Sequence, residues 1–337
     1  MIRCSLLGTG SLLPGRPVSS REVAKRAVPP LAPEFIEQRA GIVKRHWVEP
    51  GTRSAPLGAE VLRQALSSAG MDAKELRRIL FVASTGGDWL IPATATRIVH
   101  ELGLTGQCDA LDINNGCVGF LSALDLASRS VATGCGPVAI VTVEIFSDML
   151  MPDEPRCYAI FGDAAAAVVV GPGAGDDGLL GSRLGSDPTL GLTASMEHPR
   201  FSGRVHPLRF GISNRTMSEE AVGYLVRAAR EALSEAELSV ADIDWVLPHQ
   251  PNGNMFDQII AALEVPAERT VKLVGEIGST GAASIPVALD RLVRTGQLHA
   301  SSKLLLVSVG AGVSYGAVVV TAGQIARGPH DVIAKER

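Results

Sequence analysis

The hydrophobic pattern alternates between two kinds of segment. Short continuous apolar runs such as Ile79-Leu80-Phe81-Val82 and Leu304-Leu305-Leu306-Val307 have the character of strands covered on both faces, as in layered α/β folds. Between such runs lie longer stretches whose apolar positions return every three or four residues, which predicts amphipathic helices. One combination occurs twice. Residues 65–84 (ALSSAGMDAKELRRILFVAS) lie over residues 232–251 (ALSEAELSVADIDWVLPHQP) without a gap, at an offset of 167 residues, each reading as a helix, a polar turn and a buried strand.

Two further pairs follow in the same order. A Gly-rich turn leads into a helix carrying Ala123-Leu124-Asp125 or Ala288-Leu289-Asp290, then into strands at 138–143 and 304–309; the runs 167–170 and 317–320 form the third pair. Matches in sequence order predict two homologous α/β halves, 1–172 and 217–337. Doubly covered strands in both halves predict five layers, α-β-α-β-α. The two central helices should then be small and apolar, as 117–127 (CVGFLSALDLA) and 282–289 (AASIPVAL) are. Residues 173–216 are rich in Gly, Pro and Ser with little periodicity, and read as a long surface connection that either links the halves or borders a substrate. The charged tail from Ile325 reads as frayed.

Composition narrows the class. With 337 residues, 46% hydrophobic and 20% charged, the chain can bury a large core, which excludes disorder. No apolar stretch approaches the ~18–20 residues of a membrane span, and the short apolar start reads as a first strand and not a signal peptide, so the cytoplasm is expected. A net charge of −4 without a Lys/Arg run makes no case for nucleic acid. The five cysteines (Cys4, Cys108, Cys117, Cys135, Cys157) form no Cys-x-x-Cys pair, which argues for reduced thiols. The histidines lack ligand spacing, so no metal is expected.

Two positions carry candidate chemistry. Gly116-Cys117-Val118-Gly119 places a thiol at a strand-to-helix junction, where unpaired N–H groups and the positive dipole end lower a thiol pKa and can hold an oxyanion. On residue type alone, Cys117 fits a buried structural cysteine at least as well. Leu247-Pro248-His249-Gln250-Pro251-Asn252 ends a strand with a histidine, where layered sheets bind ligands; a satisfied polar group is the commoner reading of such a histidine. Duplication ties the two together, because the cysteine turn and the histidine belong to opposite halves and can converge near a pseudo-symmetry axis. The glycines of 309–316 permit close approach of backbone to a ligand. Neither that segment nor Leu7-Gly8-Thr9-Gly10 is a dinucleotide fingerprint.

Together these segments resemble the β-ketoacyl-acyl-carrier-protein synthase III branch of the thiolase superfamily over nearly the whole chain. The motifs, in family order, are Gln38-Arg39-Ala40-Gly41-Ile42, Asn115-Gly116-Cys117-Val118-Gly119-Phe120, residues 160–167 (IFGDAAAA), Pro248-His249-Gln250-Pro251-Asn252, residues 278–286 (GSTGAASIP) and residues 310–316 (GAGVSYG). The resemblance implies a homodimer with the duplicated five-layer thiolase-like fold, taking acyl-CoA or acyl carrier protein as substrate and needing no cofactor. It implies Cys117 as acyl-accepting nucleophile, the N–H groups of Cys117 and Gly312 as oxyanion hole, His249 as an Nε2 donor facing the second substrate, Asn252 as a substrate-binding position, and Phe35 with Arg39 at the mouth of the coenzyme tunnel.

The departures from the family pattern are part of the reading. Ser279 stands where family ketosynthases carry an Asn that helps stabilise the malonyl enolate, and Asn254 where an Arg often meets the carrier protein. Gly223 and Ile91 stand where the family often has Phe, and both changes enlarge space. The first functional reading is a synthase III-type condensing enzyme of specialised metabolism. The second is a non-decarboxylating acyltransferase to an alcohol, amine or carbon acceptor. The third is a stabilising subunit of a heteromeric ketosynthase, against which the intact Cys117 and His249 weigh.

Overall fold

The computed structural model describes residues 1–191, 194–202, 208–211 and 214–327; the charged tail beyond Arg327, with His330, and His206 lie outside the described residues. Two five-stranded mixed sheets carry the fold. The first runs in the spatial order Ser5–Leu12, Ala164–Gly171, Val138–Glu144, Arg78–Val82, Asp109–Ile113. The second runs Ile2–Arg3, Gly178–Ser186, Ser314–Thr321, Lys303–Gly310, Trp245–Pro248.

Alternation along each strand explains why the apolar runs are unbroken. In Ala164–Gly171, the residues Ala164, Ala166, Val168 and Val170 face a central core, whereas Ala165, Ala167 and Val169 face an outer one. In the second sheet Leu304 and Leu306 join that same central core, and Leu305 and Val307 turn to the opposite outer layer. The central core is filled by the helices Gly119–Ala132 and Ser284–Arg294. Ser54–Ala69 covers the outside of the first sheet and Asn214–Glu235 the outside of the second. The central strands therefore have two buried faces and little room for alternation with polar residues, whereas the edge strand Asp109–Ile113 is largely exposed. The layers are α-β-α-β-α.

The duplication reaches further than the sequence suggests. Residues 173–216, expected as a surface connection, contain the nine-residue strand Gly178–Ser186, which pairs antiparallel with Ser314–Thr321. Ser5–Leu12 pairs in the same way with Ala164–Gly171 in the first sheet. Its sequence, GLLGSRLGS, hides the strand because small residues replace the expected apolar ones. The reason is close packing: a Cβ on Gly181 would lie 2.1 Å from the Ala232 carbonyl oxygen, and one on Gly8 would lie 2.2 Å from that of Ala65. Ala65 and Ala232 are themselves equivalent in the repeat. A larger residue must push strand and helix apart, so Gly181→Val is expected to cost about 1–3 kcal/mol, read as a lower urea midpoint with an unchanged slope.

Candidate active site

Five of the six motifs converge on one cavity of about 800 Å³, the exception being residues 38–42. Cys117, His249, Ser279, Asn252 and Gly312 all line it, so the cysteine of the first half and the histidine of the second share one space. Its wall is mainly apolar, with Phe146, Met149, Phe161 and Phe210 among the lining residues; the rings of Phe146 and Phe161 stack at 4.4 Å.

Cys117 occupies the turn between the strand Asp109–Ile113 and the helix Gly119–Ala132. The opposite half pins this turn. The Ser308 hydroxyl donates to the Cys117 carbonyl at 2.8 Å, and Gly310 comes so near that a Cβ on it would lie 2.8 Å from the Cys117 nitrogen. Gly312, with φ of 131°, adopts a conformation favouring glycine and brings backbone to the cavity. The N–H and C=O of Val313 pair with those of Asp187 at 2.9 and 2.8 Å, which anchors the loop.

His249 is 3% exposed and extends the ladder of Trp245–Pro248 through its N–H, which donates to the Val307 carbonyl at 2.8 Å. Its Nδ1 lies 2.8 Å from Ser284 Oγ, and that hydroxyl also lies 3.0 Å from the Gly281 carbonyl. The hydroxyl has one proton for the two. Given to Nδ1, it leaves Nε2 as the donor; given to Gly281, it requires Nδ1–H and leaves Nε2 as an acceptor. Ser279 is held by its backbone, donating to the Ile160 carbonyl at 2.8 Å and accepting from the Gly162 N–H at 3.0 Å. The 160–167 and 278–286 motifs are thus strapped together.

The electrostatics differ from the sequence expectation at Cys117. Burial, with the Glu144 charge adding to it, pushes the thiol up to about 12, not down as a helix start alone would imply. Cys117 opens onto the cavity and is half-buried, and loss of hydration disfavours its charged form. Burial also lowers His249 to about 4. Its folded pKa lies below the unfolded value near 6.5, so between about pH 6.5 and 4 the unfolded chain takes up a proton that the folded chain refuses. Stability therefore falls with falling pH across that window, by about 3 kcal/mol in all. His249→Gln is expected to lose this part of the slope in urea titrations at successive pH values.

The remaining positions are placed as follows. Asn252 caps the helix Gly253–Ala262, its Oδ1 accepting from the Met255 N–H at 2.9 Å. Phe35 and Arg39 lie on the helix Pro33–Ala40 with the guanidinium 5.2 Å over the ring, outside the cavity lining. The Asn254 amide donates to the Arg39 carbonyl at 2.6 Å and ties the two helices. Ile91 is 87% exposed, and its neighbour Leu90 is the one that lines the cavity. Gly223 is exposed, with nothing within 4 Å of where its Cβ would be; Glu220 and Ala221 of the same helix line the cavity instead. All five cysteines are free, and no group of metal-ligating side chains occurs among the described residues. Sequence reasoning missed Ser284 and Glu144. Ser284 stood inside a quoted motif, and Glu144 is the one charge ending an otherwise apolar strand run, which is a readable signal.

Comparison with known proteins defines the class. Residues 111–188 match the model of 3-oxoacyl-[acyl-carrier-protein (ACP)] synthase III, and residues 233–322 match its C-terminal model. A β-ketoacyl-[acyl-carrier-protein] synthase III of Rhizorhabdus wittichii is 35% identical over 95% of this chain and 99% of its own length. The crystal structure of 3-oxoacyl-(acyl carrier protein) synthase III from Pseudomonas aeruginosa superposes with a TM-score of 0.87 at 29% identity, covering 95% of this chain and 98% of that one. The priming β-ketosynthase of the R1128 polyketide pathway does so with a TM-score of 0.88 at 31% identity, over 95% and 96%. Fold and site define an acyltransferase of the condensing type with a thiolase-like fold. The chain belongs to the 3-oxoacyl-[acyl-carrier-protein] synthase III family. No helix among the described residues is long and apolar enough to cross a membrane.

Proposed function

We propose that this condensing enzyme carries its acyl group on Cys117, takes it from acyl-CoA or an acyl carrier protein, and serves a specialised cytoplasmic pathway. The observation that carries the reading is the meeting of Cys117, His249 and Ser279 in one largely apolar cavity. In the acylation step Sγ bonds to the thioester carbon, the carbon–sulfur bond to the carrier breaks, and the proton from Cys117 ends on the departing thiol. The oxyanion formed on the way meets the N–H groups of Cys117 and Gly312. Because burial holds Cys117 as a thiol, a base is needed, and neutral His249 with Nε2 free can take the proton transiently. In the second step a carbon nucleophile attacks the acyl thioester. The halves 1–172 and 217–337 supply one group each, and 173–216 borders the substrate.

Ser279 in the position of the family's Asn favours a second reading, acyl transfer without decarboxylation, in which His249 deprotonates the acceptor. Intact-protein mass after incubation with a panel of acyl-CoAs, then malonyl thioester and a CO2 assay, separates the two. Mass gain with CO2 release supports condensation, mass gain without it supports simple transfer, and no gain removes both.

A homodimer is part of the proposal. Asp109–Ile113 is an edge strand with Leu111 exposed, and Trp89, Leu90, Ile91 and Leu126 add exposed apolar surface of a kind that marks interfaces. For the mouth of the tunnel, Arg39→Ala is expected to raise the KM for acyl-CoA several-fold with kcat kept, since a guanidinium stacked on Phe35 can still pair with phosphate. An unchanged KM removes Arg39 from the site.

A further inference from the structure

Glu144 ends the strand Val138–Glu144, whose residues are all buried, and is itself 0% exposed. It lies outside the cavity lining. A carboxylate removed from water must be hydrogen-bonded or paired, and three donors converge on this one. Ser84 donates its O–H to Oε1 at 2.6 Å and its N–H to Oε2 at 3.0 Å, and the Ala282 N–H reaches Oε1 at 3.0 Å. Ser84 and Ala282 come from opposite halves of the chain, and each leads to a catalytic group. The Ser84 carbonyl accepts from Asn114 Nδ2 at 3.3 Å, and Asn114 Oδ1 accepts from the N–H of Gly116, next to Cys117, at 3.2 Å. On the other side, Ala282 follows Gly281, whose carbonyl lies 3.0 Å from Ser284 Oγ, the partner of His249 Nδ1. The Gly281 turn rests on the carboxylate: a Cβ there would lie 2.8 Å from Oε1.

We propose that Glu144 is a positioning residue joining the supports of Cys117 and His249, and that its charge opposes formation of the Cys117 thiolate, so that one proton is traded between the two groups. The ionisable groups coupled to it are Cys117 and Asp163, the latter ahead of the strand Ala164–Gly171; His249 is reached only through the Gly281–Ser284 turn. Among the described residues no Lys or Arg forms an ion pair with it. Two buried anions cannot both be accommodated cheaply without a cation. Burial, with Asp163 adding to it, raises the Glu144 carboxyl to about 7, so the trade falls in the neutral range. Acylation of Cys117 removes the group whose ionisation the Glu144 charge opposes. This consequence for turnover rests on the acyl-enzyme reading, whereas the charge coupling does not.

The test reads the thiol directly, with iodoacetamide as probe on the whole protein and the Cys117 peptide quantified by mass spectrometry from pH 5 to 10. In the wild type the logarithm of the alkylation rate should rise with pH, flatten near pH 7 as Glu144 ionises, and then resume its rise. Glu144→Gln should give a straight line that meets the wild type at low pH and runs about tenfold faster above pH 8, the equivalent of one pKa unit. Parallel lines at every pH would show only altered access to the sulfur and would overturn the proposal, as would coincident lines. Ser84→Ala keeps the carboxyl but removes a donor that favours its ionised form, so the flattening should move to higher pH. An unmoved flattening also defeats the assignment. Alkylation requires no acyl donor, so failure of the acyl-transfer reading would leave this result standing.

Discussion

Replacing Cys117 by alanine is expected to abolish acyl uptake and to lower turnover by at least about 10⁴-fold, the scale on which enzymes lose activity with their nucleophile. The other thiols have no substitute geometry. Cys4 lies in the central core with its Sγ 3.3 Å from Ser128 Oγ, and burial pushes Cys157 up to about 12. Burial, with the Asp109 charge beside it, pushes Cys108 up to about 11. Cys117 alone among the five lines the cavity, together with the Gly310–Val313 loop. Peptide mapping after incubation with octanoyl-CoA checks the assignment. Label on any other cysteine, or label retained by Cys117→Ala, would refute it.

How much of the fold is legible in the sequence depends on the physical signal each feature leaves. The repeat was legible because a doubly covered strand must be apolar at every position, so Ile79–Val82 and Leu304–Val307 announce themselves. Gly178–Ser186 was not, since its small residues answer to a helix packed against its backbone, and contact of that kind leaves no hydrophobic trace. Convergence of Cys117 and His249 followed from pseudo-symmetry. The ionisation of Cys117 did not: the helix start is visible in the sequence, but loss of hydration at the thiol and the approach of Glu144 are properties of the folded chain, and they reverse the sign of the shift. The proton choice at His249 was equally hidden, because the Ser284 hydroxyl reaches it from 35 residues away.

Ser279→Asn is expected to speed decarboxylation of malonyl thioesters by about 10²–10³-fold while leaving acylation of Cys117 unchanged. Loss of CO2 builds negative charge on the thioester oxygen, and each well-placed donor for such an oxygen is worth rate of that order. One donor, His249, is present once Ser284 gives its proton to Nδ1. The second depends on reach. Ser279 is 1% exposed, and its backbone is fixed on one side to Ile160 and on the other to Gly162, so the side chain cannot advance by moving the main chain. An Asn at this position extends an amide N–H further into the cavity than the serine hydroxyl can go. On the proposed assignment acylation relies on the Cys117 and Gly312 N–H groups and gains nothing from that amide, so the two steps should separate. The wild type is accordingly expected to release CO2 slowly from malonyl-CoA. Fast release by the wild type, slowed by Ser279→Ala, would show instead that the hydroxyl already serves as the second donor, with a bridging water able to supply the missing reach, and that decarboxylative condensation proceeds with serine in place.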